Sequence, residues 1–236
     1  MSTAITHVQP GSIAQRLGLV AGDKLVSIAG EPIIDQIDYQ ALTAQERFDM
    51  MVEDAGGQTR TVHVRKEDWE PLGLTLDQTI VSKPRPCRNH CIFCFIDQMP
   101  PGMRKTLYVK DDDWRLSFVS GNFVTLTNLS DKELARILDK KFSPLYVSVH
   151  ATDDTIRRKL LGNPRARDIM PLLKQFADGG INMYTQVVMC PGLNDGEVLR
   201  KTLTDLYSLY PAVQNVAIVP VGLTKFRCGL ADLRLV

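Results

Sequence analysis

The sequence predicts an α/β fold: a small β-rich module at the front, followed by a larger core that alternates strand and helix. Three observations predict it. The first 65 residues carry short alternating apolar runs between turn residues, the signature of strands. From Thr79 onward β-branched runs alternate with helical repeats, which argues for a parallel sheet, open or curled into a barrel. The 236 residues, 44% hydrophobic and 23% charged, suffice for one larger domain plus a small one with a real core.

In the front module, residues 1–66, Ile5 to Val8 is extended and Pro10-Gly11 turns. Ser12 is placed to cap a short helix that runs through Leu17 and stops at Gly18. Gly22-Asp23 turns into a strand, Leu25 to Ile28, and Gly30 sits in the next turn. Phe48, Met50 and Val52 alternate, as do Val62 and Val64, with Ala55-Gly56-Gly57 between them, which predicts a hairpin. Residues 67–78 read as a linker.

In the core, residues 79–236, Thr79 to Ser82 is a candidate strand and a cysteine-rich loop follows it. Asp112 to Ser120 predicts a short helix stopped at Gly121, and Phe123 to Thr127 a strand. Ser130 and Glu133 form a capping box for a helix with Leu134, Ile137 and Leu138 inward. Leu145 to Val149 is the next strand. Ile169, Leu172, Leu173 and Phe176 then share a helical face closed by Gly179-Gly180. Tyr184 to Met189 is a further strand, Asp195 a cap for a helix carrying Leu199, Leu203 and Leu206, and Val216 to Val219 the last strand.

A formal net charge of +1 gives no reason to expect nucleic acid or an anionic membrane as partner. The basic cluster Arg157-Arg158-Lys159 is read as a solvated helix face. No apolar run is long enough to cross a bilayer, and the N-terminus lacks the pattern of a signal peptide. A cytosolic protein with reduced thiols is expected. Of five cysteines, three fall within eight residues, the distribution of a metal site.

Cys87-Arg88-Asn89-His90-Cys91-Ile92-Phe93-Cys94 has the spacing C-x3-C-x2-C directly after a candidate strand. Three thiolates on one tight loop can hold three irons of a cubane and leave the fourth open. Phe93 would shield its edge. Zinc is the competing reading, with His90 or the distant Cys190 as fourth ligand. An electron-transfer ferredoxin would need a fourth nearby cysteine.

The spacing, the aromatic before the third cysteine and the preceding strand resemble the radical SAM superfamily. That resemblance implies a [4Fe-4S] cluster on Cys87, Cys91 and Cys94 whose free iron chelates S-adenosyl-L-methionine. It also implies a 5′-deoxyadenosyl radical that abstracts hydrogen, and an electron donor of flavodoxin or ferredoxin type. The likeness extends through Pro86 to Pro100, Gly102-Met103-Arg104, Lys110 to Phe118 and Gly121 to Asn128. The front module, Val8-Gln9-Pro10-Gly11-Ser12-Ile13-Ala14, Leu17-Gly18-Leu19 and Gly22 to Gly30, resembles bacterial PDZ domains. Together these resemble the family that joins a PDZ module, a radical SAM core and a C-terminal DUF512 domain.

The fold implied is a PDZ-like domain followed by an incomplete radical SAM (βα) partial barrel. The chain is expected to be truncated, because five core strands are counted where six are usual. The PDZ-like groove implies a peptide or protein ligand added as a strand, with Leu72-Gly73-Leu74-Thr75-Leu76 as its late edge strand. The opposing reading of that module is internal docking.

The resemblance also nominates cofactor contacts. Where such cores often carry Gly-Gly-Glu, this chain has Leu126-Thr127-Asn128, so backbone carbonyls, Thr127 and Asn128 would have to serve. Ser148-Val149-His150-Ala151 is similar to the Ser-Leu-His-Ala run of radical SAM RNA methyltransferases, which nominates Ser148 and His150 for ribose or carboxylate; a buried structural histidine is the alternative. Gln186 and the turn Pro220-Val221-Gly222 are further candidates. Asp111-Asp112-Asp113 is read as a helix cap or a functional cluster, and Cys190 and Cys228 as small buried residues or a relay thiol and auxiliary ligand. Catalytic side chains and substrate are not legible. The reading of another class is a zinc- or cluster-stabilised module that works through its PDZ-like domain.

Overall fold

The computed structural model describes residues 2–67, 69–77 and 84–235. The chain divides into two compact units, Met1–Lys83 and Pro84–Val236.

The first unit contains β1 (Thr3–Val8), α1 (Ile13–Arg16), β2 (Lys24–Ile28), β3 (Glu31–Pro32), α2 (Gln36–Thr43), β4 (Arg47–Glu53), β5 (Thr59–Arg65) and β6 (Leu74–Leu76). All pairings are antiparallel, in the order β5-β4-β2-β1-β6, with β3 on β2. The expected hairpin forms in register, Phe48 opposite Val64 and Met50 opposite Val62. Its turn is held by the Asp54 carboxylate, which accepts the N–H groups of Gly56 and Gln58 at 2.8 and 2.9 Å. Ser12 caps α1 by accepting the Gln15 N–H.

Helix α2 was not expected. Asp35 caps it by accepting the N–H groups of Ile37 and Asp38, and Ile37 turns into the core. Leu25, Ile28, Met50 and Val52 form the centre of that core, joined by Leu72. Residues 72–76, expected within the linker and also as a late edge strand, are built into this unit, with β6 paired to β1. Gly73 permits it: its φ is +76°, and a β-carbon there would lie 2.3 Å from Ser12 Cβ.

The second unit contains α3 (Trp114–Ser120), α4 (Asp131–Lys140), β7 (Leu145–Ser148), α5 (Asp154–Leu161), α6 (Ile169–Asp178), β8 (Met183–Met189), α7 (Gly196–Tyr207) and β9 (Val213–Pro220). Strands β7-β8-β9 form a parallel sheet, as expected. The capping box at Ser130 and Glu133 is present. The proposed strand Thr79 to Ser82 lies outside the described residues.

Three expectations are corrected. Phe123 to Thr127 is reduced to one parallel bridge, Val124 to Val147. Its backbone groups go elsewhere: Asp112 accepts the Thr125 N–H at 2.5 Å, Arg157 donates to the Thr125 carbonyl at 2.8 Å, and Leu126 turns left-handed at φ +61°. Arg157 is not part of a solvated face. It is 1% exposed and donates to the carbonyls of Val149, Arg167 and Thr125, while Lys159 stays in solvent. Asp195 precedes α7, but its carboxylate accepts the Gly192 N–H instead of capping the helix.

Candidate metal centre

The cysteine loop is held mainly by its backbone. The Cys87 N–H donates to the Lys110 carbonyl at 2.9 Å, and the N–H groups of His90 and Ile92 donate to the Leu161 and Leu160 carbonyls at the end of α5. The Cys94 N–H closes a turn onto the Cys91 carbonyl. The helix end thus satisfies its orphan carbonyls with the loop, and the loop acquires a rigid floor.

Asn89, between the first two cysteines, is the internal anchor. It is buried; its amide N–H donates to Thr125 Oγ1 at 2.8 Å, and its Oδ1 accepts from Asn163 at 2.8 Å. The Thr127 hydroxyl lies 3.0 Å from Asn89 Oδ1 and 3.2 Å from Asp112 Oδ2, and Thr125 donates to that same Asp112 oxygen at 2.6 Å. This network aims the loop. Sequence reading missed Asn89, Thr125 and Asn163 as positioning residues, and singled out Asp112 only as part of the aspartate run. The one local signal was an amide side chain placed inside the cysteine spacing.

Cys87, Cys91 and Cys94 all line one cavity of about 660 Å³ at the C-terminal end of the parallel strands. Ser148, His150 and Gln186 line it too. Ser148 and Gln186 face each other across β7 and β8, and His150 follows two residues after the end of β7. Pro220 and Gly222 complete that rim, fixed by Gln98, which donates to the Gly222 carbonyl at 3.0 Å. Thr127 and Asn128 are not among the lining residues. Thr127 belongs to the Asn89 network, and Asn128 reaches the Pro86 carbonyl at 3.4 Å.

His150 is buried at φ +66° with its ring edge against Phe93, centroids 4.7 Å apart. Burial, then the charge of Arg157, pushes its pKa down to about 3, so the ring is neutral near pH 7. Nδ1 accepts the Val188 N–H at 3.2 Å, so the proton sits on Nε2. A left-handed backbone at a non-glycine residue beside a cavity marks a site that the surrounding fold over-determines.

The three aspartates divide their work. Asp113 caps α3, and against the pull of burial the hydrogen bonds from Arg115 and the Arg85 N–H hold its carboxyl below the usual range. Asp112 serves the Thr125 network. Asp111 lines the cavity, its pKa raised mainly by burial.

Three thiols on one loop suit soft, thiophilic iron or zinc. Burial, then the neighbouring Cys87 and Cys94, pushes the Cys91 thiol up to about 12, so its proton must leave on metal binding. Among the described residues no group of three His, Cys, Asp or Glu is arranged to hold a single metal ion. Thiolates that each bind a separate iron do not have to converge on one point. His90 is exposed, while Cys190 is fully buried in an apolar cluster with Ala151, Leu160 and Val221. Neither lines the cavity. Cys228 is exposed.

A family model described as a radical SAM-like domain matches residues 66–216. A model described as a PDZ domain matches residues 5–53. A 76-residue stretch is 36% identical to Protease RseP of Yersinia pestis, covering 32% of this chain and 15% of that protein's length. Among the described residues no helix is long and apolar enough to cross a membrane.

Proposed function

Since the chain belongs to the radical SAM-like domain family, we propose that it holds a [4Fe-4S] cluster on Cys87, Cys91 and Cys94 and uses it to cleave S-adenosyl-L-methionine. The observation that carries this reading is that these three thiols line one cavity at the carboxyl end of the parallel sheet, joined among the described residues by no further cysteine and by no histidine but His150. Held by Cys87, Cys91 and Cys94, such a cluster would supply the one-electron reduction that splits S-adenosyl-L-methionine into methionine and a 5′-deoxyadenosyl radical.

The chain's own residues supply position and enclosure. Asn89 and the α5 carbonyls hold the loop. Ser148, Gln186 and the Nε2–H of His150 offer neutral hydrogen-bonding groups for ribose or carboxylate, and Phe93 packs over the histidine. Thr127 and Asn128 support the loop and its surroundings in this reading. A flavodoxin- or ferredoxin-type donor would supply the electron. Five free cysteines suit the reducing cytosol. Anaerobic reconstitution followed by reduction should release 5′-deoxyadenosine and methionine; protein with a full iron complement that releases neither overturns the reading.

A peptide-binding role for the first unit is favoured by a separate observation. A groove of about 590 Å³ runs beside the edge strand β6, lined by Tyr39, Gln40 and Thr43 of α2 and by Gly73, Leu74 and Thr75. An extended peptide fits such an edge by strand addition. It would bring a peptide or protein substrate to the enzyme, or be the working part of a module whose metal only stabilises it. Peptide binding by metal-loaded protein that never consumes S-adenosyl-L-methionine would select the second role.

A further inference from the structure

Resting on the cluster reading above, we propose that Lys110 and Asp97 form a charge pair that sets how readily the metal at Cys87, Cys91 and Cys94 accepts an electron. Lys110 is the one cationic side chain among the described residues lining the cavity, and its carbonyl already accepts the Cys87 N–H at 2.9 Å. Asp97 lies in the 3-10 turn Ile96–Gln98, just past Cys94. The Lys110 ammonium donates to both Asp97 oxygens, at 2.9 and 2.8 Å. The cysteine loop is therefore gripped at its start by a backbone bond and at its end by this ion pair.

The pair is sheltered, with the lysine side chain 25% and the aspartate 33% exposed. Lys110 lines the same cavity as Cys87, Cys91 and Cys94, which sets the pair beside the three sulfurs. One electron from the reduced donor adds one negative charge to the centre. A cation nearby favours that uptake and an anion opposes it. Bound together, Lys110 and Asp97 largely cancel. Removing one exposes the other, so the two single variants act with opposite sign. A mere mechanical clamp has no such signature, because either loss would loosen the loop alike.

The test is a potentiometric titration of the full reconstituted chain, followed by electron paramagnetic resonance without S-adenosyl-L-methionine, after counting iron. At a fixed potential, Lys110→Gln should lower the reduced-to-oxidised ratio roughly fivefold, and Asp97→Asn should raise it by a similar factor. Lys110→Arg and the double variant should stay near wild type. Single variants that move the ratio in the same direction, or leave it unchanged at wild-type iron content, overturn the proposal. So does loss of iron from both single variants while the protein stays folded, since that is the clamp. Wild-type protein that takes up one zinc and no iron instead overturns the cluster reading itself.

Discussion

Gly162 ends α5 directly against the cysteine loop: a β-carbon on it would lie 2.2 Å from the carbonyl oxygen of His90. Its φ of +56° is also one that side chains disfavour. The loop can therefore rest on the helix end only because this residue has no side chain. Gly162→Ala should cost more than about 1 kcal/mol of stability, and it should lower the iron retained after reconstitution. Thermal melting and iron counting check this; unchanged values for both would contradict it.

Arg157 is buried with three backbone carbonyls as its acceptors, two of them on Val149 and Thr125 beside the cavity. Burial pulls its pKa down to about 10, still far above neutrality. Arg157→Met should cost about 3 kcal/mol, because the carbonyls lose their donor without regaining water. The denaturant midpoint measures it. A loss under about 1 kcal/mol would mean that water or a neighbour replaces the guanidinium.

His150 gives the apoprotein an acid-sensitive stability. Unfolded, its imidazole takes up a proton as pH falls through about 6.5; folded, it resists until about 3. Across that window the unfolded chain binds more protons, so the contribution is fully present above about 6.5 and shrinks as pH falls. By pH 4 the loss should reach roughly 3 kcal/mol. His150→Gln should flatten this limb. Urea midpoints at pH 7, 5.5 and 4 for both proteins decide it, and parallel curves would contradict it.

Trp69 lines the groove beside β6 and is 78% exposed, whereas Trp114, the other tryptophan, is 2% exposed. Peptide entering the groove should blue-shift the emission of Trp69, and Trp69→Phe should abolish the change. A peptide that binds without altering the emission would place its site elsewhere.

The division between what was and was not legible follows sequence distance. The capping box at Ser130 and the hairpin of Phe48 and Val64 are local patterns that fold as read, although the equally local cap expected of Asp195 is not made. Helix α2 escaped because it spans only eight residues, with a weak apolar stripe. Arg157 looked like one member of a basic run; only the fold shows that its neighbours are the carbonyls of Val149, Arg167 and Thr125. The same holds for Phe123 to Thr127, whose β-branched composition suits a strand while Asp112 and Arg157 take its hydrogen bonds. Of the nominated contacts, Ser148, His150 and Gln186 meet the cysteines at the cavity, and Thr127 and Asn128 do not.

Mössbauer spectroscopy of anaerobically reconstituted protein tests the central claim most directly. The account predicts about four irons per chain, with one iron site whose signal changes when S-adenosyl-L-methionine is added. A single zinc held by four protein ligands, or an iron centre blind to that compound, would contradict it.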